Sequence, residues 1–127
     1  MAKKIKVVLV EPNKKAVAAE IGASIKDMQA AVGGLIQVIY PFEEEVALIC
    51  NEEGKLLQLP ANRGVRMDGE EDIFDIICGT FFIAGCDGER FGSLSEEQIT
   101  KYQHKYLFPE KFIKVNDSIQ AVPYEIF

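Results

Sequence analysis

The stretch IFDIICGTFFIAG, Ile73 to Gly85, is the longest apolar run of the chain, and its reading decides the fold. β-Branched and aromatic residues favour a strand, and the break at Gly79 predicts a glycine bend or bulge within one buried strand. VALIC, Val46 to Cys50, is apolar on both parities, which predicts a central strand covered on both faces.

The intervening segment Cys50 to Gly64, CNEEGKLLQLPANRG, predicts a hairpin. Asn51-Glu52-Glu53-Gly54 turns the chain, KLLQL returns as a strand, and Pro60 ends it because proline has no N–H for a ladder. Asn62 and Arg63 then fall in a loop. Upstream, Ile5 to Val10 and Ala16 to Ile21 flank Glu11-Pro12-Asn13 as an opening hairpin. Ser24 caps a short helix with Ile25, Met28 and Val32 on its inner face and Gly33-Gly34 as its stop. Leu35 to Pro41 reads as a strand, and Glu43 to Glu45 as a solvated turn because adjacent carboxylates repel.

Downstream, Met67 to Asp72 reads as a charged loop and Asp87-Gly88 as a turn. Ser95-Glu96-Glu97-Gln98 forms a capping box that opens a second helix with Ile99, Tyr102 and Tyr106 inward. Past Pro109 the tail keeps many apolar residues around an Asn116-Asp117 turn. The expected class is α+β: a mainly antiparallel sheet of five to seven short strands with two short helices. Residues 1–109 make a single domain, and residues 110–127 an extension packed on it or on another subunit.

A chain of 127 residues buries one core without staples. Its net charge of −6 argues against direct nucleic-acid binding, and 14 basic residues break up the carboxylate array that a DNA mimic needs. The first residues are too short and broken an apolar run for a signal peptide or membrane span. Cys50, Cys78 and Cys86 form no CxxC pair, which points to reduced thiols and a cytoplasmic setting. Metal-ligand spacing and nucleotide-hydrolase, dinucleotide or serine-hydrolase motifs are absent, so no metal and no cofactor are expected.

VLVEP, VGGLIQVI, ALICNEEGKLLQLPANRG, IICGTFFIAG with DGE, and SLSEEQITKY, in that order over roughly residues 5 to 107, resemble the domain of unknown function 3846 family. That resemblance implies a small protein of bacterial phages and mobile elements, working inside a bacterial host, and carries no activity with it. Such company raises interference with host defence as an expectation.

The candidate ligand-binding residues are Asn62 and Arg63, where a guanidinium beside an amide reads phosphate or carboxylate, with Thr80 and Phe82 of GTFF and the turn residue Asn51. One phenylalanine of GTFF is expected in the core and the other free to stack on a base or enter an interface. Phe112, Tyr124 and Phe127 are the candidate interface of a homo-oligomer. The expected function is non-enzymatic binding, favouring a small anionic, nucleotide-like ligand over a host protein. A hydrolase using His104, the single histidine, with Cys86 or an acidic residue is the contrasting expectation.

Overall fold

A computed structural model describes residues 3–88 and 90–125. The opening hairpin joins β1 (Lys4–Val10) to β2 (Val17–Gly22), paired from Lys4 opposite Gly22 to Leu9 opposite Val17. α1 (Ile25–Val32) follows, its Asp27 N–H bonded to the Ser24 hydroxyl and its end set by Gly33 at φ +80°. β3 (Ile36–Ile39) and β4 (Val46–Asn51) pair next. β5 (Ala61–Val65), β6 (Asp75–Cys78), β7 (Phe81–Cys86) and β8 (Phe91–Gly92) precede α2 (Glu96–Lys105). β9 (Glu110–Val115) and β10 (Ser118–Pro123) close the chain. The class is α+β, with every described strand pair antiparallel.

The main sheet runs β2-β1-β7-β4-β3, with β8 on the end of β7. Its two faces carry separate cores. Ile5, Val7, Ala47, Ile49, Phe82 and Ala84 pack with Met28 and Val32 of α1 on one side. Val8, Val10, Leu48, Phe81 and Ile83 pack with Tyr102 and Tyr106 of α2 on the other, joined by Val65 and Ile77. Alternate residues of one strand therefore serve opposite cores, which is why VALIC is apolar at every position.

Ile73 to Gly85 is not one strand. Gly79, at φ +89°, passes the chain from β6, in a separate two-stranded sheet with β5, into β7 at the centre of the main sheet. A side chain there would also lie 2.7 Å from Leu59 Cδ1. Apolar content identifies both halves as buried but carries no sign of the change of sheet. Six strands build the main sheet, and four more lie outside it: β5 at the expected loop, β6 from the first half of the Ile73–Gly85 run, and β9 and β10 in the expected extension. Asn116 and Asp117, both at positive φ, make the tight turn of β9–β10.

KLLQL is not a strand either. Leu57 N–H bonds Glu53 O at 2.8 Å and Leu59 N–H bonds Gly54 O at 2.9 Å, so residues 52–58 coil into consecutive turns that Gln58 leaves at φ +56°. Two adjacent leucines cannot share one strand face, and here both face outward. Glu44 is not simply solvated: its carboxylate accepts from Gln98 Nε2 at 2.7 Å, Lys101 Nζ at 2.5 Å and Tyr102 Oη at 2.7 Å. Those hydrogen bonds hold its pKa down at about 2 and tie the 40–45 loop to α2.

Candidate groove and the polar lock beneath it

Asn62 and Arg63 lie on β5, not in a loop, and both are buried, Arg63 with 0% exposure. A β-bulge between Ala61 and Arg63 turns consecutive polar side chains inward instead of alternating them. Asn62 Nδ2 donates to Val10 O and to Gly79 O, each at 2.9 Å, and its Oδ1 accepts from Arg63 Nη1 at 2.8 Å. The guanidinium donates through Nε and Nη2 to Tyr106 O, at 3.2 and 3.0 Å, and through Nη2 to Lys14 O at 2.7 Å. Together these bonds tie β5 to β1, to the turn before β7 and to the end of α2.

Burial depresses the Arg63 pKa, opposed by the field of Glu110. Glu110 faces the same region and accepts from Gly64 N–H at 2.8 Å. Arginine stays charged under such shifts, so the cation is solvated by carbonyl oxygens where water would otherwise serve. Its donors point into the protein, and the loop position expected for Arg63 is corrected to a buried place on β5.

The remaining candidates scatter. Asn51 is buried; it donates from Nδ2 to Val32 O at 3.2 Å and accepts Glu53 N–H at 2.7 Å, closing α1 and the following turn at once. Gly34 makes room for it, since a Cβ there would lie 2.9 Å from Asn51 Nδ2. Phe81 and Phe82 are both wholly buried on opposite faces of β7, so neither is free to stack on a ligand. A sheet covered on both sides leaves no outward position on its central strand. Thr80, half-buried, lines a shallow groove of about 460 Å³ with Pro12, Ala31, Gly33, Leu59 and Pro60, none of them charged. The groove abuts the carbonyl end of α1, the negative end of its dipole, which is unfavourable for an anion.

Phe112 and Tyr124 are half-buried in the terminal hairpin, and Tyr124 Oη donates to Asn13 Oδ1 at 2.8 Å. Phe127 lies outside the described residues. His104 is exposed on α2. Burial pushes the Cys50 thiol up to about 11, away from thiolate chemistry. Among the described residues no three His, Cys, Asp or Glu side chains gather as metal ligands. No described helix is long and apolar enough to cross a membrane.

The concavity with the most distinctive rim lies where the 52–58 turns lean over β6. It encloses about 270 Å³ and is lined by Gln37, Cys50, Gly54, Leu56, Ile76 and Cys78, among others. Gly54 lets the turn press on β6: a Cβ there would lie 2.3 Å from Cys78 O. Lys55 pairs with Asp75 across the mouth. Leu56 is 78% exposed and Leu57 54%, with exposed Phe74 just before β6. The strand expected over KLLQL hides these leucines from a sequence reading; the doubled leucine, which breaks alternation, is the signal that locates them.

No curated protein and no solved structure matches the chain. The model of the domain of unknown function 3846 (DUF3846) matches residues 5–107. That span runs from β1 past α2 and includes both the Asn62–Arg63 lock and the groove above β6, and the chain belongs to the DUF3846 family.

Proposed function

We propose that this protein acts by binding another protein, using Leu56, which lines the groove above β6, together with exposed Leu57 and Phe74, each adjacent in sequence to a lining residue. The observation that carries this is the inversion in one segment: the polar groups of Asn51, Asn62 and Arg63 are spent on backbone bonds inside, while two leucines of the same segment stand in water. Exposed leucines grouped at a concavity mark an interaction surface more often than a catalytic one. Glu52 and Glu53, exposed on the same turn, favour a partner that flanks an apolar anchor with basic side chains.

Catalysis has less support, since His104 lines neither groove described above and burial pushes the Cys50 thiol of the groove up, away from thiolate chemistry. Sequestration of a small anion also has less support, because the guanidinium meant to hold the anion already has its carbonyl partners. In the phage or mobile-element setting that the family resemblance implies, the partner is a protein of the bacterial host, and binding counters a host defence.

Capture of bacterial proteins on the immobilised chain, compared with the Leu56→Ser/Leu57→Ser double variant, tests this. A protein held by the wild type and released by the folded double variant is the expected result. Equal capture by both would remove the rim from the function. Thermal unfolding against linear and cyclic nucleotides tests the anion reading in parallel, where a ligand at a hundredfold excess over Kd adds about 2.7 kcal/mol.

A further inference from the structure

The two edges of the main sheet are built differently. β2, VAAEIG, carries Glu20 on its open side of the sheet, a charge of the kind that discourages strand addition. β3 forms the other edge, and from Gly33 to Pro41, GGLIQVIYP, the chain has no charged residue. Leu35 O accepts from Glu52 N–H at 2.8 Å, so the Leu35 backbone faces β4. Hydrogen-bonding direction alternates along an antiparallel strand, so the N–H and C=O groups of Ile36 and Val38 face away from β4 toward the open edge.

We propose that two copies of this chain join through β3, antiparallel about a two-fold axis at Val38, so that their six-stranded sheets become continuous. Only an even register pairs outward-facing groups with outward-facing groups. With Val38 opposite Val38 of the second copy, Ile36 lies opposite its Tyr40, and each of these pairs exchanges N–H···O bonds. Ile36 and Val38 already pack against the core beneath α1, so the paired side chains extend that core across the axis. The 58% exposed Tyr40 gains a β-branched cross-strand neighbour in Ile36 of the other copy.

A second copy fits this edge for an electrostatic reason. Two chains of net charge −6 repel over most of their surfaces, and at this strand neither copy brings a charge of its own from Gly33 to Pro41 into the contact. The contact is separate from the terminal hairpin and borders the groove above β6, which Gln37 of β3 also lines.

Sedimentation velocity of the full chain across a concentration series, with amide exchange followed by NMR, tests the pairing. The expected result is a mass rising from 14.2 kDa toward twice that value, with the Ile36 and Val38 amides becoming protected as it rises. Val38→Pro removes an N–H that β4 does not use, and Tyr40→Lys charges an exposed position; both are expected to stay monomeric with near wild-type melting. If Val38→Pro fails to fold, Tyr40→Lys decides. Ile113→Lys, on the outer face of the terminal hairpin, is expected to dimerise as wild type does. A chain monomeric at every concentration, a dimer that survives Tyr40→Lys, or a dimer lost in Ile113→Lys would each overturn the proposal.

Discussion

Arg63 and Leu56 belong to one short segment, and each lies where its polarity argues it should not: the cation is wholly buried and the leucine is 78% exposed. Partners decide this, not side-chain type. Arg63 is surrounded by the oxygens of Tyr106, Lys14 and Asn62, so burial costs it little hydrogen bonding. Leu56 stands on a coil of turns whose backbone bonds are made among themselves and which presses on β6 through Gly54, so no core position is left for it. One leg of the segment is a structural lock and the other carries the exposed leucines that we propose as a contact surface.

The comparison breaks most severely at Arg63. Arg63→Ala leaves two backbone carbonyls without their buried donor and opens a cavity, and is expected to cost about 3–5 kcal/mol, read as a lower urea midpoint. Arg63→Lys restores charge without the fork and is expected to recover only part of it. A loss under about 1 kcal/mol for Arg63→Ala, within the range of surface substitutions, would show that the lock is not structural.

Gly54→Ala attacks the hinge between the legs. Its Cβ would sit 2.3 Å from Cys78 O, a backbone atom that cannot swing aside, so the turn must lift off β6. Overpacking of this kind costs about 1–3 kcal/mol. Exchange of the Leu57 and Leu59 amides, bonded within the turns, is expected to accelerate in the variant while β4 amides stay protected.

Much of the fold was legible because local chemistry and final environment agree. Ser24 and Ser95 cap helices as their sequences announce, Gly33 stops α1, and VALIC is apolar on both parities because cores lie on both faces. Where reading failed, a long-range partner decides. Nothing local says that Gly79 separates two sheets, that a bulge turns Asn62 and Arg63 inward together, or that carbonyls from residues as distant as Val10 and Tyr106 await them. The polar residues picked out in the sequence, Asn62 and Arg63, lie buried on β5, since polar residues signal recognition and buried locks alike.

Glu44 extends the contrast to charge, as a carboxylate in an acidic run that is bound where its neighbours are solvated. Its pKa of about 2 in the folded chain lies below the ordinary 4.5, so between these values the unfolded chain binds more protons. The stabilisation is complete above about 4.5 and is lost as pH falls through about 2. Glu44→Gln is expected to flatten the acid limb of a stability–pH curve in that window and lower the plateau at neutral pH; an unchanged acid limb would remove Glu44 as its source.

The smallest effect on stability is expected where the proposed function is strongest. Leu56→Ser and Leu57→Ser remove apolar surface that is already in water, so each is expected to change stability by less than about 0.5 kcal/mol. Polar replacement at a buried leucine costs several times that, so the melting curve alone separates a contact surface from unseen core packing. A large loss of stability would mean that the 52–58 turns fold back over these leucines in solution, and the segment would then have two structural legs. Near-neutral melting together with loss of the captured partner assigns the leucines to recognition, and leaves Arg63 as the residue that holds the surface beneath them in place.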